Sequence, residues 1–205
     1  MPSGFTQQID RIVSKIGNAN DPLPAQSVSS GTGAAQYGGQ VGARVCLGND
    51  DSQIANSSSP TLYGGIYQYV QFKATSTAVG LVGLIAFWST DSTYIVVCDE
   101  PSGVSDIAGI CLGTVTKSNY AWIQVAGKAT VMFRAAITKA TPAIGDLVLA
   151  AAAGAGADVA TADVLADATS ITSVQMRHAL GIAVVAPVSG AASAVRLRFL
   201  NNWNF

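Results

Sequence analysis

The stretch YAWIQVAGKATVMF, Tyr120 to Phe133, decides the fold. Aromatic and β-branched residues dominate it, and apolar and polar positions alternate, as strands lying on a core require. Glycine at 127 permits a tight reversal, so the spacing predicts two strands, 120–126 and 128–136, meeting in a hairpin at Ala126-Gly127. The same texture continues outward. Short runs of Val, Ile, Tyr and Phe separated by Gly, Ser, Asp and Asn predict further strands near 66–73, 81–88, 94–98, 107–116, 146–150, 180–186 and 194–200, with a shorter one at Val41 to Leu47. In AVRLRFL, 194–200, Val195, Leu197 and Phe199 point one way while Arg196 and Arg198 point the other. The expected fold class is all-β.

Ahead of this body, Phe5, Ile9, Ile12, Val13 and Ile16 recur at helical spacing, Ser3 or Thr6 stands where a cap belongs, and Gly17 follows as a stop. A helix of about three turns is marginal alone in water, so its apolar stripe is expected to dock on another surface. From Gly17 to Gly42 the chain has two prolines, few large apolar residues, with Leu23 and Tyr37 among them, and no periodicity. That composition predicts an extended arm, since compact domains seldom hold so long a structureless connection. The expected organisation is a short helix and arm over 1–42 and a β domain over 43–205. Within the domain, GNDDSQIANSSSP (48–60) reads as a long loop. The low-complexity run Ala150 to Ala168 belongs to a surface excursion over about 150–178, where Gly154 and Gly156 argue against a continuous helix.

Composition narrows the function. Of 205 residues 49% are apolar, enough for a real core, whereas charged residues make up only 11% against roughly 25% in a typical soluble domain. Glu100 is the single glutamate and His178 the single histidine, so acid–base or metal chemistry has to be assembled almost entirely from aspartates, which disfavours an enzyme. A net charge of −1 lacks the basic footprint that binding a phosphate backbone needs, so no direct nucleic-acid partner is expected. Cys46, Cys98 and Cys111 form no CxxC pair and are read as buried reduced thiols. Asp10 and Arg11 stand where a secretory signal would need its apolar core, which predicts a chain made and kept in a cytoplasm. Ala74 to Thr90 carries no charge, but its densely apolar part, VGLVGLIAFW, has the length of a buried strand rather than a membrane span.

Catalytic and binding patterns are sparse. Neither GxxxxGK[ST] nor GxGxxG is present, and PSGVSDIAG around Ser105 fails the GxSxG spacing of a serine hydrolase. A Cys–His hydrolase would have to pair Cys98 or Cys111 with His178, yet both cysteines sit in apolar strand runs, YIVVC and IAGIC, where structural thiols belong. Asp158, Asp163 and Asp167, or Asn49, Asp50 and Asp51, lack the spacing of a calcium loop and read as solvated turns. No metal and no cofactor are expected. Tyr63, Tyr67, Tyr69 and Phe72 cluster ahead of the first long strand, and the chain closes on NNWNF, where Trp203 and Phe205 are expected to dock on the domain or on a neighbour.

Gly109 to Ala150, followed by His178 to Asn202, resembles the capsid cement or decoration proteins of tailed bacteriophages. The shared pattern is YxWIQVxGKATV, a GDLV strand after a proline-containing turn, GIAVxAP, and a closing VRLRFL strand; it covers Thr61 to Phe205, about seven-tenths of the chain. The resemblance implies a β-barrel or β-tulip-like body, often trimeric, seated on the outer capsid surface over junctions of the major capsid protein. On that basis the expected function is non-enzymatic reinforcement of an assembled capsid. The interface residues expected are Phe5, Ile9, Ile12, Ile16, Leu23, Tyr37, Arg196, Arg198, Trp203 and Phe205. The runner-up is a virion spike or fibre domain that stacks Tyr and Trp on host glycans or binds a receptor.

Overall fold

Alternating apolar residues make strands here, and turn residues separate them. The computed structural model describes residues 41–47, 53–55, 62–73, 82–89, 94–98, 106–113, 115, 117–151, 156–160 and 179–198. Twelve strands are present among them: β1 Arg44–Leu47, β2 Gln53–Ala55, β3 Leu62–Tyr63, β4 Gly65–Phe72, β5 Ile85–Trp88, β6 Ile95–Val97, β7 Ile107–Cys111, β8 Tyr120–Met132, β9 Leu147–Ala150, β10 Ala157–Val159, β11 Ala179–Ala183 and β12 Ala192–Leu197. No helix occurs among the described residues, and the fold is all-β. Of the expected helix and arm over 1–42, residues 1–40 lie outside them.

Five strands close on themselves. In the order β4, β6, β5, β7, β8 each pairs with the next, and β8 returns to β4 in antiparallel register from Gly65↔Gly127 to Gln71↔Tyr120. β4 meets β6 in parallel, through Gln71↔Ile95 and Phe72↔Val96. Closure leaves these strands no open edge toward one another, which protects them from pairing with other chains. From β8 a second series runs through β12, β11, β9 and β10. It returns to the chain just after β8 through a parallel bridge between Phe133 and Ala157. A separate small pairing joins β2 to β3.

The hairpin expected at Ala126-Gly127 is not there. β8 runs unbroken for 13 residues and serves both series. Gly127, at φ +94°, bends the strand instead of reversing it. Beside the bend a bulge opens: Ile66 pairs with Ala126 but Tyr67 with Gln124, so Val125 has no partner across the ladder. The buried Gln124 side chain braces the bend by donating to the carbonyls of Ala126 (3.2 Å) and Lys128 (2.9 Å).

Two further stretches differ from their reading as loops. Gln53–Ala55, inside 48–60, pairs with Leu62–Tyr63. Ala157–Val159, inside the excursion, pairs with Val148 to Ala150 because Ala157 and Val159 supply buried side chains on alternate positions. Neither stretch has the β-branched density that marks the other strands.

Alternation along β8 divides the core. Ala121, Ile123 and Val125 join Val70, Phe72, Ala86, Val96, Cys98, Ala108 and Cys111, a cluster drawn from or beside all five strands of the closed barrel. Beyond Gly127, Ala129, Val131 and Phe133 join a second cluster that unites Ile85, Phe87, Ile107 and Ile110 with Val148, Val159, Leu180, Val195 and Leu197. A third, aromatic cluster of Tyr67, Tyr69 and Trp122 is covered by Val41, Ala43 and Val45. Burying each such aliphatic side chain contributes about 1.5–3 kcal/mol.

Candidate interaction surface

The turn after β8, residues 134–146, and the β11–β12 connection, residues 184–191, meet at one end of the second series. Phe133 N donates to Ala191 O (3.0 Å), Gly190 N to Arg134 O (2.9 Å) and Ile137 N to Ser189 Oγ (3.3 Å). Gly145 N donates to Ala183 O, and Ala183 N to Asp146 O, both at 2.9 Å.

Two aspartates hold the first turn in shape. Asp158 on β10 accepts from Thr138 N (2.8 Å), Thr138 Oγ1 (2.6 Å) and Val159 N (2.8 Å), and pairs with Arg134 Nη1 at 3.0 Å. Asp146 accepts from Lys139 Nζ (2.6 Å) and Ala143 N (2.8 Å). Partial burial pushes both carboxyls up, but hydrogen bonds outweigh it and hold both below the ordinary aspartate value: for Asp158 from Thr138, Val159 and Arg134, for Asp146 from Lys139 and Ala143. Asp158 is thus committed to a structural clamp, and Asp163 and Asp167 lie outside the described residues.

These pinned turns carry aliphatic side chains into solvent. Ile144 is 71% exposed, Val188 59% and Val185 44%, and Ile182 on β11 is 47% exposed. Pro142 stands two residues before Ile144 and Pro187 directly before Val188, and each proline fixes its own φ within the turn. Ile182 also belongs to a row across four strands, Leu147, Ile182, Arg196 and Lys128, set by the pairs Ile182↔Leu147, Ile182↔Arg196 and Arg196↔Lys128. The row passes from aliphatic to cationic, and Lys128 Nζ ends it 4.4 Å from the ring centre of Tyr63.

Among the residues read from sequence as interface, Arg196 and Arg198 are exposed while Val195 and Leu197 are buried, as the alternation requires. Phe5, Ile9, Ile12, Ile16, Leu23, Tyr37, Trp203 and Phe205 lie outside the described residues, as does His178. Ile144, Ile182, Val185 and Val188 were not singled out in the sequence. The available signal was an aliphatic residue between Pro and Gly, as in TPAIGD, where no strand exists to bury it.

The aromatic cluster turns inward. Tyr67, Tyr69 and Trp122 are buried, Tyr69 lies 5.3 Å from Trp122 and 6.0 Å from Tyr120, and Tyr67 Oη donates to Tyr63 O. Burial raises the Tyr67 hydroxyl well above its ordinary pKa. Trp88 and Tyr94 make an edge-to-face pair at 6.2 Å, with Tyr94 partly exposed. Of the cysteines, Cys98 and Cys111 are buried as expected; Cys46 is exposed, because β1 lies at the end of the sheet order. Among the described residues no three His, Cys, Asp or Glu side chains gather as metal ligands, and no helix is long and apolar enough to cross a membrane.

No family model and no curated protein matches the chain.

Proposed function

We propose that the protein is a non-enzymatic structural subunit that binds an assembled viral capsid and bridges its major capsid protein subunits, acting as a homotrimer on the outer surface. The observation that carries this reading is the display of Ile144, Val185 and Val188 on hydrogen-bonded turns at one end of the β body. Aliphatic side chains held out on pinned turns gain free energy when a partner covers them, with little ordering cost on binding. The sequence resemblance to phage cement proteins supplies the partner in this proposal. A subunit that binds the assembled lattice and not its free parts stabilises the lattice by linkage, and many copies act together.

The alternative, a spike or fibre domain that binds host glycans or a receptor, draws on exposed Tyr and Trp for stacking. Tyr67, Tyr69, Phe72 and Trp122 are buried and Lys128 stands over one face of Tyr63, which leaves Tyr94 as the exposed ring among the described residues, while Trp203 lies outside them.

Co-sedimentation with empty capsids of the cognate major capsid protein tests the proposal. The full chain is expected to pellet with capsids, and to do so nearly as well at 0.5 M salt, since apolar contacts are little screened. Ile144→Asp with Val188→Asp is expected to abolish pelleting at unchanged thermal stability. Equal pelleting by that variant would remove the turns from the contact, and no pelleting by the full chain would remove the capsid as partner.

A further inference from the structure

Cys98 directly follows β6 and Cys111 ends β7, two strands that are not neighbours because β5 runs between them. Their sulfurs nevertheless meet inside the closed barrel, with Sγ to Sγ at 3.6 Å, each residue about 1% exposed. Val96, Ala108 and Ile123 belong to the same buried cluster. A disulfide needs the sulfurs at about 2.05 Å, so an approach of about 1.5 Å joins them, shared between two side-chain rotations.

We propose that Cys98 and Cys111 are an oxidation site, converted by a peroxide-class oxidant into a disulfide that staples β6 to β7 through the barrel interior. One thiolate attacks a peroxide oxygen, the O–O bond breaks, and hydroxide leaves and takes up a proton as water, giving a sulfenic acid. The second sulfur then attacks that sulfur, the S–O bond breaks, and the oxygen departs with two protons as a second water. Two thiols and one hydrogen peroxide thus yield one disulfide and two waters, with two electrons passing from sulfur to oxygen. Hydrogen bonding to Cys98 and burial push the Cys111 thiol well above its ordinary range, so the pair reacts slowly at neutral pH and stays reduced where oxidant is scarce. The bond would close a loop between residues 98 and 111, which removes freedom from the unfolded chain, though less than a long loop would. The inference does not depend on the capsid reading.

The test uses the full chain carrying Cys46→Ser, which removes the exposed thiol and leaves the pair intact. After native treatment with hydrogen peroxide, the protein is unfolded and treated with N-ethylmaleimide. No Lys or Arg lies between Lys73 and Lys117, so one tryptic peptide carries both sulfurs. That peptide is expected to be about 2 Da lighter than its reduced form and to take up no maleimide. The oxidised protein is expected to melt about 5–10 °C higher, reversibly with reductant, and to oxidise faster as pH rises from 7 to 9. Two maleimides on the peptide, addition of oxygen without the 2 Da loss, or an unchanged melting temperature would each overturn the proposal. Cys98→Ala in the same background is expected to lose the melting response.

Discussion

At Gly127 a Cβ would stand 2.5 Å from the Gly64 carbonyl oxygen, on a backbone at φ +94°. Gly145 shares the conformation, φ +88°, but a Cβ there meets nothing within 4 Å. The pair separates two effects that glycine usually confounds. An L-residue at positive φ costs about 1–2 kcal/mol, so Gly145→Ala is expected to lower the melting temperature by about 2–6 °C. Gly127→Ala adds a backbone collision at the bend and is expected to cost about 3 kcal/mol or more. Equal shifts for the two in thermal denaturation would mean that the bend has room the geometry denies. Gln124 belongs to the same site. Gln124→Leu removes the donor shared by the Ala126 and Lys128 carbonyls and is expected to destabilise by about 1–3 kcal/mol in denaturant titration. A neutral result would show that the amide does not brace the bend.

Among the elements, β10 holds the second series shut. Arg134 N donates to Ala157 O (2.9 Å), and the neighbouring Asp158 clamps Arg134 and Thr138. Because the Asp158 carboxyl is held below its ordinary value, the stability it supplies is complete above the unfolded aspartate value of about 3.9 and drains as pH falls through its lower folded value. Asp146, lowered likewise, acts in the same direction. Melting temperature is therefore expected to be flat from pH 7 to 5 and to fall below about pH 4, with a shallower acid limb in Asp158→Asn. An acid limb unchanged by that substitution would assign the loss to other carboxylates.

The element scale also shows what the sequence made legible. Strand texture located most of the barrel, and the parity of AVRLRFL oriented β12 correctly. The continuity of β8 was legible too, in a feature the hairpin reading passed over. A two-residue turn at 126–127 would pair Val125 with Lys128 and put Lys128, Thr130 and Met132 on the inner face. The residues that enter the two aliphatic clusters are instead 121, 123, 125, 129, 131 and 133, all of one parity, while Trp122 faces the aromatic cluster. What no local pattern carried was closure, since the return of β8 to β4 and the bridge from Phe133 to Ala157 join residues far apart in the chain. Strand β10 was hidden for a related reason: it is only Ala157-Asp158-Val159, and Ala157 is buried by its partners rather than by its own hydrophobicity. Beyond the TPAIGD setting of Ile144, the exposure of Ile144, Val185 and Val188 has no local signature, because burial is decided by tertiary neighbours.

For the whole molecule, the reading as a capsid subunit carries a mass and a truncation result. Light scattering at micromolar concentration is expected to give three times 20.9 kDa, the mass of a closed trimer. A monomer both free and on capsids would contradict it. Deleting residues 1–40 stops short of Val41 and Gly42, which pack on Tyr69 and bond to its carbonyl, so the barrel is expected to fold. If the arm crosses to a neighbour, that truncation loses capsid binding; binding as tight as the full chain's would refute an arm contact.

Cryo-electron microscopy of empty capsids mixed with the full protein tests the central claim most directly. The account predicts β-barrel density in groups of three over junctions between major capsid protein subunits, with the turns bearing Ile144 and Val188 facing the lattice. Bare capsids at saturating protein, or density standing off the surface as an isolated spike with those turns in solvent, would contradict it.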